Sequence, residues 1–297
     1  MRQLLQTRLK TNIIGRKGSV VKRGQYAYKA KTDFPLLAVA GWTGNVNCQS
    51  DYPEVDLVLA RMSNLSGAET TAITNFVVGC VDDGNWDKLD DFWCFALNGT
   101  DWLTGWIANT ASIVTAGVTR ITDGAQCTGG VLQTGVDLGL QTNYQLGDSE
   151  IGVFVHTCPD WGTANFDWFG VEDGTANRTR IRHRGNDTED ARNSINNTAT
   201  TDNVVLMSGI AGHLHSLRDD DNDGLYLIDG AAQPEALAAG AQVPTGFDVR
   251  IFSSNNSGAN SQGAKDSTFT SFYVGAEIDT VSFLGRLTTL HTAIGVT

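Results

Sequence analysis

Length, composition and charge exclude several classes of protein before any motif is considered. The chain has 297 residues, of which 41% are hydrophobic, and its seven Trp and twelve Phe are too many for a disordered chain. Thirty-three Gly with only five Pro fit a turn-rich β protein better than a helical one. The sequence has no apolar run of about 18 residues and no secretory leader. We therefore expect a protein made in a cytoplasm, without a membrane partner.

The basic charge is concentrated at the N-terminus. Residues 1–31 hold nine of the 21 basic residues and no acidic residue, whereas the remainder is strongly acidic. Such an arm is expected to contact acidic groups elsewhere. The apolar pairs Ile13-Ile14 and Val20-Val21 favour docking as added β structure over nucleic-acid binding. We predict that residues 1–33 form an anchoring arm ordered by contacts outside its own subunit, through Arg2, Arg8, Lys10, Arg16, Lys17, Lys22 and Arg23.

Residues 34–107 are predicted to form a connecting segment that contains a helical hairpin. Pro53 suits a first helical turn, and apolar residues recur at helical spacing through 53–63. Ser66 and Glu69 form a capping-box pattern that opens a second helix over 67–82. An aromatic run over 92–97 then indicates a buried strand.

Residues 108–297 read as a series of short strands separated by Gly, Asp and Asn turns. The stretch 214–230 is the strongest hairpin signal, with two apolar arms joined by Asp, Asn and Gly. Asp279 or Thr280 is expected to cap a C-terminal helix. The fold class is therefore mainly β: an antiparallel β-sandwich, or lectin-like jelly roll, preceded by the hairpin and closed by the helix. The strands are expected at 131–140, 150–157, 166–171, 177–184, 203–210, 247–252 and 269–274.

Several short motifs carry a resemblance to a known group of proteins. They are Trp86-x-x-Leu89-Asp90-x-Phe92, Phe95-Ala96, Gly105-Trp106, Tyr226-Leu-Ile-Asp-Gly230 and Phe272-x-Val-Gly275. In this order they resemble virion structural proteins of tailed bacteriophages that carry a concanavalin A-like lectin and glucanase sandwich. The resemblance covers about residues 50 to 297 and implies a sandwich fold. The basic arm lies outside it.

A row of arginines is the sharpest candidate for ligand binding. Alternation on a strand places Arg178, Arg180, Arg182 and Arg184 on one face and Ile181 on the other. Arginines pair carboxylate and phosphate groups bidentately, so the row could receive an acidic bacterial glycan, or be neutralised by an acidic neighbouring strand or subunit. Trp161 and Trp168, in an aromatic loop with Asp and Asn, are second candidates, although most aromatics there are expected in the core.

Two other patterns are assigned structural roles. Glu277-Ile-Asp279 resembles the opening of the catalytic strand in lectin-fold glucanases, but Val281 and Ser282 stand where a further carboxylate is needed. We therefore predict a helix start there and no glycosidase activity. Asp219, Asp221 and Asp223 match half of a calcium loop. A polar turn is the favoured interpretation, and weak calcium binding with help from Asp229 is the alternative.

The histidines and cysteines form no recognised metal pattern. His213 and His215 share one strand face without a third ligand, and the five Cys lack metal spacing. We therefore expect buried free thiols, histidines that are either paired at the surface or hydrogen-bonded, no metal and no cofactor.

The favoured function is a non-enzymatic structural component of a bacteriophage particle, in the head, neck or tail appendage, that presents a lectin-like domain. The expected partners are other virion proteins, copies of itself and host surface polysaccharide. The alternatives are a free-standing carbohydrate-binding module, which would leave the arm without a purpose, and a lectin-fold glycosidase.

Overall fold

In the computed structural model, the described residues form two β-sheets. Residues Glu54–Thr297 form one unit, and the fold is described within it. The basic arm, Trp161 and the calcium candidates Asp219, Asp221 and Asp223 lie outside the described residues. The structure describes residues 51–158, 166–174, 177–184, 190–197, 205–206, 211–218, 224–229, 231–232, 242–260, 263 and 266–297.

Sheet 1 has the strand order β13-β12-β11-β6-β17-β4-β3, with β1 also paired to β17. The predicted hairpin is present as β11 and β12, which pair antiparallel from Leu214 opposite Ile228 to Arg218 opposite Gly224. The strands of sheet 1 are β1 Leu89–Cys94, β3 Val118–Ile121, β4 Gly124–Cys127, β6 Ser149–Thr157, β11 Gly212–Arg218, β12 Gly224–Ile228, β13 Ala231–Ala232 and β17 Thr268–Gly275.

Sheet 2 has the order β10-β9-β8-β7-β14-β5-β2, and the short β15–β16 hairpin joins it beside β7. The pairings between its strands are antiparallel within the described residues, except that β15 pairs parallel with β7. Its strands are β2 Ile113–Val114, β5 Leu132–Asp137, β7 Phe166–Glu172, β8 Arg178–Arg184, β9 Asp190–Asn197, β10 Val205–Leu206, β14 Asp248–Ile251, β15 Asn255–Asn256 and β16 Ala259–Asn260.

The core lies between the two sheets because apolar residues alternate along the strands that face each other. Phe272 of sheet 1 packs edge-on against Phe169 of sheet 2, with ring centroids 5.6 Å apart. The ring centroid of Trp93 of β1 lies 5.7 Å from that of Phe272, on the core side of sheet 1. Each of these rings is fully buried, and such aromatic pairs add directional attraction to the hydrophobic effect.

Within the described residues three α-helices accompany the sheets: α1 Pro53–Ala60, α2 Gly67–Asp82 and α3 Thr280–Ala293. The Ser66 and Glu69 capping box opens α2 as predicted, and Asp279 caps α3 by accepting from the Val281 and Ser282 backbone. Helix α2 packs against α3, where Phe76 and Phe283 lie 5.9 Å apart. Phe76 also stacks on Phe92 of β1, so these two helices lie on the outer face of sheet 1.

The predicted fold class is confirmed as a mainly β sandwich with an N-terminal helical hairpin and a C-terminal helix. Some boundaries differ. Strand β1 begins at Leu89 and pairs with β17, so the expected connecting segment contributes a strand to the sandwich. Strand β9 was not predicted, because its sequence DARNSINN is too polar for an alternation signal.

Candidate functional site

The arginines of β8 lie on the outer face of sheet 2. Ile181 is fully buried among the core residues, so alternation directs Arg180 and Arg182 away from the core. The neighbouring strand β7 supplies carboxylates opposite this row. Glu172 is directly opposite Arg178, and Asp167 is directly opposite Arg182. We call this surface, formed by Arg178, Arg180, Arg182, Asp167 and Glu172, the arginine face.

One end of the arginine face is closed by a bidentate ion pair. The Arg182 Nε donates to Asp167 Oδ1, and its Nη2 donates to Oδ2 at 3.1 Å. The Asp167 side chain is fully buried, whereas that of Arg182 is 28% exposed. Burial alone would lower the pKa of Arg182, but the hydrogen bond and charge of Asp167 outweigh it and raise that pKa. This pair is a structural element of the face.

The other end is compensated less completely. Glu172 is shared, with Arg178 Nη2 at 3.3 Å and Arg180 Nη1 at 3.6 Å. Arg180 is only 7% exposed, and its guanidinium makes no hydrogen bond within the described part of the chain. Burial lowers the pKa of Arg180 to about 10, despite the opposing charges of Asp167 and Glu172. Arg180 therefore keeps its charge at neutral pH in surroundings that hydrate it poorly.

A polar row crosses the sheet at Arg180. Register places Arg180 opposite Ser194 of β9 on one side and opposite Gly170 of β7 on the other. Gly170 in turn faces Arg250 of β14, which faces Gln133 of β5. Residues opposite each other in a sheet point to the same side. Five adjacent strands thus present Ser, Arg, Gly, Arg and Gln in line.

Arg250 extends the positive charge of the face across β14. It is 8% exposed and bonds two groups of the β15–β16 hairpin, Asn260 Oδ1 at 2.5 Å and the Gly258 carbonyl at 3.2 Å. Both partners are neutral. Its Nε is buried without a hydrogen-bond partner among the described residues. Arg250 was not singled out from the sequence, although its outward position in the Val249-Arg250-Ile251 alternation was available as a signal.

The remaining predicted ligand residues fall in different places. Arg184 ends β8, and its side chain is not among those described. Trp168 belongs to β7 and is fully buried, so in this structure its ring offers no exposed surface for stacking on a sugar. Asp167 and Glu172 could not be assigned from the sequence, because their contact with the arginines depends on β7 lying beside β8.

His213 and His215 lie on the face of sheet 1 opposite to the core. His213 Nε2 is 3.0 Å from the Tyr273 hydroxyl, and His215 Nε2 is 3.5 Å from Glu150 Oε2. Among the described residues, no group of three or more His, Cys, Asp or Glu has the arrangement of a metal site. Both histidines are buried, which the expectation of a surface pair did not foresee. His213 has a hydrogen-bonding partner in Tyr273, whereas neither ring nitrogen of His215 has one among the described residues.

The Glu277-Ile-Asp279 segment is a helix start, as predicted. Asp279 caps α3, while Glu277 is exposed and adopts a positive φ of 50°.

None of the helices in the described ranges is long and apolar enough to cross a membrane.

Comparison with known proteins identifies structures of similar fold but no matching family. No protein-family model matches the sequence, and no curated protein matches it. A mutant of Trypanosoma rangeli sialidase that displays trans-sialidase activity is similar in structure, with 13% identity and a TM-score of 0.51. The likeness covers 77% of this chain and 39% of the sialidase. The same sialidase in complex with sialic acid has 14% identity, a TM-score of 0.50, and coverage of 71% and 34%.

A third solved structure is domain 4 of an extracellular arabinanase from Geobacillus stearothermophilus in complex with arabinotriose. Its identity is 17%, its TM-score 0.47, and its coverage 67% of this chain and 98% of the domain. The chain spans about two fifths of the sialidase that it resembles. At these identities the likeness to the sialidase shows a shared sandwich fold.

These comparisons correct the functional prediction. The expectation of a non-enzymatic virion component is wrong, because the similar structures are those of a glycosidase and give no support to a phage particle protein. The prediction that the chain is not an enzyme is wrong for the same reason. The lectin-like sandwich that the resemblance implied is retained.

Proposed function

We propose that this chain is a carbohydrate-active protein of the lectin-fold glycosidase type, which holds a saccharide on the arginine face of sheet 2. The observation that carries this is the polar row from Ser194 to Gln133 across five strands. Sheet 1 has its outer face under α2 and α3, so it is sheet 2 that leaves polar side chains for a ligand.

The chemistry of the row suits a sugar. Hydroxyl groups accept from guanidinium N–H and donate to carboxylates, and Ser and Gln can do both. Arg180, Arg250, Glu172 and Gln133 together offer donors and acceptors on one surface about 5 Å apart from strand to strand. The similar structures include a sialidase in complex with sialic acid, which is consistent with a sandwich used in saccharide chemistry.

Glu172 is the carboxylate that we assign to the reaction. Asp167 and Glu172 are five residues apart on β7, or about 16 Å at about 3.3 Å per residue, which exceeds the separation of a glycosidase carboxylate pair. Asp167 is fully buried and engaged by Arg182, so it positions the face. The Glu172 side chain is 14% exposed and can reach a bound substrate.

The test is a panel of oligosaccharides assayed for binding and for release of reducing ends. We expect Glu172→Gln to lower hydrolysis by about 100-fold or more, the range for loss of an acid–base group. Glu277→Gln is the matched control, because Glu277 is exposed and lies at the start of α3. The proposal fails if no saccharide binds or is cleaved, or if Glu277→Gln is the variant that abolishes cleavage.

A further inference from the structure

We infer that Arg180 and Arg250 form an anion site over Gly170 that recognises the carboxylate or sulfate group of an acidic saccharide. This deepens, and rests on, the proposed saccharide-binding function of the same face. Among the described residues, the ion pairs of the face involve two carboxylates, Asp167 and Glu172, while four guanidinium groups lie there, those of Arg178, Arg180, Arg182 and Arg250.

The shortage of negative charge is located at Arg180 and Arg250. Asp167 forms its bidentate pair with Arg182, and Glu172 lies closer to Arg178 than to Arg180. Arg250 bonds only neutral oxygens within the described residues. Both arginines are more than nine-tenths buried, and a buried charge is stabilised when it is paired and hydrogen-bonded. An added anion would supply that pairing.

Gly170 brings the two arginines together. It stands directly between them in the register, so their Cα atoms are about 10 Å apart, two interstrand spacings of about 4.8 Å. A Cβ on residue 170 would lie 2.3 Å from the Arg180 Cβ. The Arg180 Cβ therefore occupies the space that a side chain at residue 170 would need.

The N–H donors of Arg180 and Arg250 that have no acceptor in the described part of the chain favour binding of an oxyanion. The Arg180 guanidinium has no hydrogen bond among the described residues, and Arg250 retains a buried Nε–H without an acceptor there. Planar N–H forks match the paired oxygens of carboxylate and sulfate, and charge-assisted bonds are about twice as strong as neutral ones. A neutral hydroxyl could accept one bond but would leave the charge uncompensated. The site is thus matched to uronic acids or to sulfated sugars.

The experiment compares a galacturonate trimer, the neutral galactose trimer and a sulfated disaccharide by calorimetry on the full chain, with inorganic sulfate as the small-ion probe. We expect the best acidic saccharide to bind at least 10-fold more tightly than the neutral trimer, and the carboxylate and sulfate arms to identify the preferred group. Arg250→Gln should reduce this preference to about one, whereas Arg250→Lys, which keeps the charge without the fork, should retain part of it. Arg286→Gln is the control, since Arg286 pairs with Asp83 and lies on α3.

Each outcome has a distinct meaning. Equal affinity for acidic and neutral trimers, unchanged by Arg250→Gln, would overturn the anion site and leave the proposed function standing. Binding of inorganic sulfate that is lost in Arg250→Gln, without binding of any saccharide, would support the anion site and overturn the proposed function. Absence of both would overturn both. Unfolding curves of each variant show whether a loss reflects the site or the fold.

Discussion

At the scale of single residues, the buried histidines outside the arginine face make the stability of the fold depend on pH. His213 and His291 lie between sheet 1 and α3, where His213 stacks on Tyr273 and His291 contacts Phe154. Burial lowers the pKa of His291 to about 3, and burial together with His215 lowers the pKa of His213 well below its usual value. Glu150 faces the neighbouring His215, and Asp123 faces His156.

We therefore predict that the protein loses stability as the pH falls below about 6.5. Between that value and the lowered folded-state pKa, these histidines are protonated in the unfolded chain but neutral in the folded protein. The free energy of unfolding therefore decreases as the pH decreases. Each such histidine contributes up to about 1.4 kcal/mol per pH unit. Urea unfolding between pH 7 and pH 5 measures this. His291→Leu should make the slope shallower by up to about 1.4 kcal/mol per pH unit, and an unchanged slope would contradict the assignment.

At the scale of secondary-structure elements, Glu69 joins a helix to a strand as well as capping the helix. Glu69 Oε2 accepts from the Ser66 backbone N–H at 2.7 Å, and Oε1 accepts from the Asn98 backbone N–H at 2.8 Å. The Asn98 amide also donates to Oε2 at 2.7 Å. These bonds lower the pKa of Glu69 even though burial, the largest single effect, acts to raise it. Its carboxylate therefore holds α2 against the chain that follows β1.

This arrangement predicts an unequal cost for the two halves of the capping box. Ser66→Ala removes a single bond to the Glu69 N–H and should cost about 1 kcal/mol, as for an ordinary N-cap. Glu69→Ala should cost about 3 kcal/mol, because it removes charge-assisted bonds at both Ser66 and Asn98. Chemical denaturation of the two variants gives the comparison. Equal costs would mean that the Asn98 contacts contribute nothing.

At the scale of the whole molecule, a cluster of aromatic rings fixes α2 and α3 to sheet 1. Phe283 of α3 lies 5.9 Å from Phe76 of α2, 6.4 Å from Phe92 of β1 and 4.9 Å from Tyr273 of β17. All four rings are buried. Segments more than 200 residues apart in sequence thus share one junction on the outer face of sheet 1.

We predict that Phe283→Ala costs about 3–5 kcal/mol, as is usual when a buried aromatic ring is deleted. The loss should appear in urea unfolding and as faster hydrogen exchange in α3. Val281→Ala is the matched control, because Val281 lies in the same helix and is 83% exposed, so its cost should stay within about 0.5 kcal/mol. Similar costs for the two variants would show that the junction is not a major source of stability.

The sequence by itself determined the features that depend on neighbouring residues. The Ser66 and Glu69 cap, the Asp279 helix start and the hairpin of β11 and β12 follow from local hydrogen bonding and turn geometry. Alternation alone separates buried Ile181 from the outward arginines.

Only the tertiary structure decided which groups meet. The pairing of Arg182 with Asp167, and of α2 with α3, depends on strand order and helix packing, which are set by non-local burial and leave no local signal. Arg250 is 70 residues beyond Arg180 in the chain, and only the position of β7 between β8 and β14 places both beside Gly170. The charge of each residue was therefore visible in the sequence, whereas the site that they form depends on the order of the strands.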